Sequence, residues 1–534
     1  GRLRPLVNVV TFAATRGDDV EVGIISPFSF LHLVCTSSAA SARFFLAHVP
    51  HSATVGGEAS PAHIAIYLDD TRPGNVLHAG PKRAYYAVYW TLLELPEWFR
   101  ATKHGWFPLC FVKLRDLKRV SGYVSRLVSV LLLVMFHPRE HNFETRGMTL
   151  FAGANAVVAW FRAHLAAFIA DEKAHHEILS SKGASGKRPC VCEKNVVGRV
   201  RRAIWDHLPG SLTHWSCGDY GRWIEHTPES LNALADHLAE QHTILSQAEF
   251  KSLQIRAGLV YRPTGLLWTT MRAAARLPQT TYWDWMHCTV ASGGIAQYEV
   301  NQFLRRLRGF IPLERVEAFL EQLNWPSGQK RKPHITFEYS LVDKPKAHLK
   351  MFAAETLQAI EGIGALIEGL DALRDFAPLR DEVACFMLLV RIMALLRQGD
   401  RVMGFLDRLA TLLRQHHDLY LRVYPRCAIP KLHWLLHFVI CARNVGHNLN
   451  CFAGERLHST SKKIANVAFR RLAQTLTNRS ILYYLASLNE EALQEVRVIP
   501  TMRRCQQRGL KQLQRACGRL DWYEHTLWAR TRPE

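Results

Sequence analysis

The chain lacks any apolar run long enough to cross a membrane. Its most apolar stretch, LVSVLLLVMF at 127–136, has ten residues, where a helical span needs about twenty, so that run is expected to be a buried strand or helix. No secretory signal opens the sequence, and its first residue is Gly1 rather than methionine, which fits a fragment or processed end with a DNA-binding module missing upstream. The twelve cysteines form no even framework of short spacings. A disulfide-stapled scaffold is thereby excluded, and thiols or metal ligands in a reducing compartment are expected. Solenoid repeats and low-complexity tracts are also missing, which excludes repeat arrays and a disordered chain. Acidic residues are scarce beside basic ones: 46 Asp and Glu against 67 Lys and Arg give a net charge of +21. A polyanionic partner follows, most simply nucleic acid, although charge alone equally fits an organellar ribosome-associated or membrane-surface protein.

With 534 residues, 48% of them hydrophobic and 21% charged, the chain has material for two to four folded domains. From Val20 to about Val134, short apolar runs alternate with turn signals, as in an α/β sheet, with AYYAVYWTLLEL (84–95) expected to be helical. After Lys182 the texture becomes helical, with ESLNALADHLAEQH (229–242) a clear case and NWPSGQKRKPH (324–334) the best linker. The expected organisation is an N-terminal segment (1–60), the first part of an α/β core (61–182), a helical insertion carrying a Cys pair (183–425), a closing segment with a His pair and a Glu-bearing helix (426–480), and a basic helical tail (481–534).

Three acids stand where strands end or a helix begins. In AHIAIYLDD (62–70), alternation puts Tyr67 and Asp69 on one face and Leu68 and Asp70 on the other, so one aspartate of the pair faces a site. AAFIADE (166–172) ends in Asp171 and Glu172, where Asp171 follows its apolar run as Asp69 does and Glu172 is a candidate to begin the following helix. In FAGERLHSTSKK (452–463), Glu455, His458, Ser459 and Lys462 share one helical stripe. Each acid alone is equally a turn, cap or solvated residue. Together, Asp69, Asp171 and Glu455 suit a pair of Mg2+ or Mn2+ ions over a phosphodiester.

A softer ligand set accompanies them. His433 and His437, four apart after Pro430, project from one helical face, and with Cys190 and Cys192 of GKRPCVCEKN they offer the four ligands of a structural Zn2+ site, with Cys217, Cys441 or His287 as substitutes. Lys187, Arg188, Arg201, Arg202, Lys462 and Lys463, with the basic segments 330–332 and 470–471, are candidate phosphate contacts.

Taken in order and interval over residues 60–480, these segments resemble the eukaryotic DDE transposases of the CACTA, Mirage and Chapaev group, relatives of the V(D)J recombinase catalytic core. YLDDTRPGNVLHAGPKRAYYAVYW (67–90) and YWDWMHCTVASGGIAQYEVNQFL (282–304) add matching texture. The resemblance implies an RNase H-like α/β core interrupted by a large, mainly helical insertion, with the first Asp on strand one (Asp69), the second after strand four (Asp171) and a late Glu on a helix (Glu455). It also implies a Cys pair after the second Asp and a His pair before the Glu, DNA (transposon ends and target) as partner, a nuclear location and a homo-oligomer. The C-x-C spacing and the acidic neighbours Asp70 and Glu172 depart from the pattern. Asp284 and His287 are expected to be a polar anchor between insertion and core. Two other classes fit the same residues: an inactive or domesticated nucleic-acid-binding protein of transposon origin, and a helical scaffold whose acids do not converge.

Overall fold

The computed structural model describes residues 5–73, 83–152, 157–198, 211–323, 347–370, 377–468, 470–489 and 491–494. Arg201, Arg202, the basic segment 330–332 and most of the 481–534 tail lie outside the described residues.

The strands are β1 (Val7–Phe12), β2 (Val20–Ile25), β3 (Ala62–Thr71), β4 (Tyr85–Leu92), β5 (Phe107–Lys113), β6 (Met148–Ala152), β7 (Val157–Phe161), β8 (Ala163–Ala170), β9 (Val196–Val197), β10 (Thr213–His214) and β11 (Thr281–Trp283). Seven of them form one mixed sheet in the order β1-β2-β5-β4-β3-β8-β11. The pairs from β1 to β3 are antiparallel, whereas β8 runs parallel to β3 and β11 parallel to β8. The fold is therefore α/β.

AYYAVYWTLLEL is a strand and not the expected helix. All eight residues of β4 are buried between β3 and β5, and a continuous aromatic and β-branched run suits a strand covered on both faces. The LVSVLLLVMF run does form a buried helix, Tyr123–Met135. Alternation along β3 separates two environments. Ile64, Ile66 and Leu68 enter the main apolar core beside Val88, Trp90 and Leu131, while Tyr67 faces the Phe452–Val467 helix, where it meets Gly454 and His458.

The chain divides into two compact units. The first takes the described residues up to Trp215, Tyr220–Asp284 and those from Leu449 on; the second takes Ser216–Asp219 and Trp285–Asn448. This division differs from the expected boundaries in three places. Residues before 61 supply β1 and β2 of the main sheet. The 183–284 stretch belongs with the sheet because it delivers β11, which pairs with β8. The His433 and His437 helix, Lys431–Val445, falls in the second unit. That second unit is helical, built on Ile295–Leu307, Leu313–Gln322, Ala353–Gly369, Arg380–Leu396, Leu406–Val423 and Lys431–Val445. Among the described residues no single helix is long and apolar enough to cross a membrane.

Candidate functional site

The parallel edge of the sheet lines up acids. Tyr67 of β3 pairs with Ile169 of β8, and Ile169 pairs with Tyr282 of β11. Two residues further along each strand stand Asp69, Asp171 and Asp284. Because side chains alternate with period two, the three leave neighbouring strand ends in one register row, on the same side as Tyr67.

The Phe452–Val467 helix supplies the fourth acid to this side. Asp284, 1% exposed, accepts a hydrogen bond from the Cys451 N–H at 3.2 Å, and Cys451 is the residue before that helix. Asp284 therefore fixes the helix start to the end of β11, and Glu455 follows one turn later. Close approach is allowed by Gly454, where a Cβ would stand 2.3 Å from Tyr67 Cε1. In this geometry one ligand atom each of Asp69, Glu455 and His458 lies within 4.8 Å of the others. His458 Nδ1 is 3.7 Å from Glu455 Oε2 and 3.8 Å from Asp69 Oδ2. The Asp69 side chain is 13% exposed and that of Glu455 40%, so the group opens to solvent on the glutamate side.

The electrostatics are those of a place prepared for cations. Two carboxylates at that spacing repel by roughly 3.5 kcal/mol at an effective dielectric of about 20. Tyr67 registers their field: its buried hydroxyl has no hydrogen-bond partner, and its pKa is raised well above the ordinary phenol value by burial first, then by Asp69, Cys451, Glu455 and Asp171. The Cys451 thiol is likewise pushed up by burial and by Asp284. His458, 2% exposed, has a buried Nε2 without a hydrogen-bond partner.

The acidic neighbours take other positions. Asp70 points to the opposite face and pairs with Lys173 Nζ at 2.8 Å. Glu172 opens the Glu172–Leu179 helix and lies 3.7 Å from His176, one turn along. Asp171 is the N-cap of that helix, its Oδ1 accepting from Ala174 N at 2.6 Å. It stands in the row, but its carboxylate is outside the close group formed by Asp69, Glu455 and His458. Sequence reasoning placed His458 on the correct stripe without assigning it a part, and treated Asp284 as an anchor. The signal for Asp284 was its position after the three-residue strand TYW, a strand too short to show a period.

Of the soft ligands, Cys190 and Cys192 belong to the first unit and His433 and His437 to the second. Cys190 is buried and its thiol is pushed up by burial and by Cys192, and Trp283 Nε1 donates to Cys192 Sγ at 3.5 Å. The His433 and His437 rings converge, Nε2 to Nε2, at 3.1 Å. Lys187 and Lys463 are exposed, Arg188 and Lys462 half-buried. The protein thus contains buried groups of Asp, Glu, His and Cys able to hold a metal ion. No protein-family model matches the chain, and no curated protein matches its sequence.

Proposed function

We propose that this protein is a DNA transposase whose acids Asp69, Asp171 and Glu455 direct metal-dependent phosphodiester cleavage and strand transfer. The observation that carries the reading is the meeting of acids from residues nearly 400 apart: Asp69 and Asp171 leave adjacent parallel strands in one register row, and Glu455 is brought to Asp69. The order of elements supports the RNase H-like expectation. Counted from β3 within the main sheet, Asp69 is on the first strand, Asp171 follows the fourth, and Glu455 comes late on a helix after a helical unit.

The donor set fits hard divalent cations, since carboxylate oxygens suit Mg2+ and Mn2+. Such ions, when bound, supply Lewis acidity to an attacking water or 3′-hydroxyl and to the leaving oxygen. Asp69 and Glu455 would hold them on the open side of the group, with Asp171 beside Asp69. His458 Nδ1 lies 3.7–3.8 Å from both carboxylates, and the Tyr67 phenol, kept protonated by its surroundings, is available as a donor to whichever carboxylate turns toward it. Lys462 and Lys463, about two turns beyond Glu455 on the same helix, suit a phosphate backbone. The zinc expectation rests on the Cys pair and the His pair, each of which converges within its own unit. It is tested by metal analysis of Cys190→Ser and His437→Asn.

The test of function is paired. With Mn2+ and a DNA duplex, Asp69→Asn should abolish nicking while leaving DNA binding intact, and Asp70→Asn should nick like the parent. Wild-type protein that binds DNA but never nicks it would instead make this a non-catalytic nucleic-acid-binding descendant, a reading in which Asp171 is only a helix cap.

A further inference from the structure

The helical unit holds a second polar group, remote in sequence from the acids above. Glu299 comes from the Ile295–Leu307 helix, Cys385 from Arg380–Leu396 and His416 from Leu406–Val423. All three are at most 1% exposed, and one ligand atom of each lies within 4.8 Å of the others. The helices are held in register by apolar contacts next to these residues. Phe303, one turn after Glu299, stacks on Phe386 with ring centroids 4.8 Å apart, and Tyr420, one turn after His416, packs on the histidine ring.

A hydrogen bond of 2.7 Å joins His416 Nε2 to Glu299 Oε2, but Glu299 Oε1 receives no hydrogen bond from nitrogen or oxygen. The Tyr424 hydroxyl, also buried, has no hydrogen-bond partner. A fully buried carboxylate whose second oxygen meets only the weak Cys385 thiol donor is costly, and three apolar-lined helices have no packing reason to bring sulfur, nitrogen and oxygen donors to one point.

We propose that Glu299, Cys385 and His416 form a buried site for Zn2+ within the helical unit, three protein ligands that leave the fourth position to a water. Thiolate, imidazole and carboxylate are the ligand types zinc takes. Zinc ligands at about 2.0–2.3 Å from the ion stand roughly 3.5 Å from one another, so the group needs to open by less than an ångström between His416 and Glu299. Charge also fits. One thiolate and one carboxylate neutralise a divalent ion, so the buried site carries no net charge. A pair of thiolates with the carboxylate would not achieve this.

Protons account for the remainder. Without metal, burial and the neighbouring Glu299 keep the Cys385 thiol protonated. Zinc would replace that proton: the thiol proton leaves to solvent as Cys385 Sγ takes the ion, and His416 Nε2 and a Glu299 oxygen supply the other two ligands. Tyr424, whose phenol is raised by burial and then most by Glu299 and Cys385, stays neutral.

The experiment uses the full chain. Elemental analysis and Co2+ substitution are applied to the parent, to Cys385→Ser, and to the Cys190→Ser/Cys192→Ser double variant, which leaves this group intact. The double variant should retain one zinc per chain and show a thiolate-to-cobalt absorption band, and Cys385→Ser should contain one zinc fewer than the parent. Zinc added to the chelator-treated double variant in weak buffer near pH 7 should release at least the thiol proton for each ion bound. A double variant with no zinc and no such band, or a folded Cys385→Ser with the parent's full zinc content, would overturn the proposal and leave the three residues as a metal-free hydrogen-bonded group.

Discussion

Replacing Gly454 by alanine separates activity from stability. The added Cβ would stand 2.3, 2.4 and 2.7 Å from Cε1, Cζ and Cδ1 of Tyr67, so ring or helix must retreat by about 1 Å to reach ordinary contact. The ring has little freedom, being 1% exposed and packed by Tyr89, Trp106 and His458. The helix therefore moves, and Glu455, the next residue, moves with it. Overpacking of this kind costs about 1–3 kcal/mol, and the helix preference of alanine over glycine returns about 1 kcal/mol. Net destabilisation should be about 0–2 kcal/mol. A carboxylate displaced by about 1 Å should cost on the order of 100-fold in rate. Thermal unfolding and Mn2+-dependent nicking, measured together, should show a small shift in Tm beside a large loss of cleavage. In a Tyr67→Leu background the same glycine change should cost at least about 1 kcal/mol less in stability. A Gly454→Ala protein that nicks at the parental rate, or a cycle without coupling, would refute the geometry from which this argument starts.

Asp171→Asn should remove metal-dependent nicking with little change in Tm, because asparagine caps a helix about as well as aspartate; equal nicking would leave Asp171 as a cap only. Lys462→Glu with Lys463→Glu should weaken binding to unrelated duplexes alike and flatten the dependence of affinity on salt, and a preference among sequences that survives both reversals would move recognition elsewhere. His104, His164 and His226 are each held down at about 4, chiefly by burial. Their folded values lie below the ordinary 6.5, so the unfolded chain binds more protons between the two values; stability should be complete above about 6.5 and fall as the pH drops toward about 4. Unfolding followed across that range should show the loss, and His226→Gln should lessen it, whereas a flat profile would contradict the burial assigned to these rings.

The acids were legible because they interrupt patterns. AHIAIY and AAFIA are apolar runs cut off by aspartate, and PKLHWLLHF and FAGERLHS carry helical spacing on their polar residues. Asp69 and Asp70 separate by alternation alone, and the structure adds Lys173 as the reason Asp70 is occupied. What stayed hidden had no period to show. YYAVYWTL is apolar at nearly every position, so helix and strand predict the same string, and only its two partner strands decide. TYW is three residues long, and its place in the sheet comes from β8. With β11 unrecognised, the boundary of the insertion fell about a hundred residues early, and Asp284 lost the context that links it to Cys451 and thus to Glu455. His458 was missed for a different reason: a histidine on a helix stripe is ambiguous until the opposite wall is known, and that wall is β3.

The row of aspartates and the helix that covers it reach the folding chain at different times. Asp69, Asp171 and Asp284 belong to strands complete by residue 284, whereas Glu455 emerges about 170 residues later. At about 5–20 residues per second, a ribosome needs roughly ten to thirty seconds to cross that interval. Through it the sheet has its like charges side by side, its buried Tyr67, Tyr85 and Tyr89 rings lack their covering helix, and the glutamate does not yet exist. A chain cut short between those points would carry the row of aspartates and an uncovered aromatic face, and on the proposed reading it would lack the glutamate that the metal site needs.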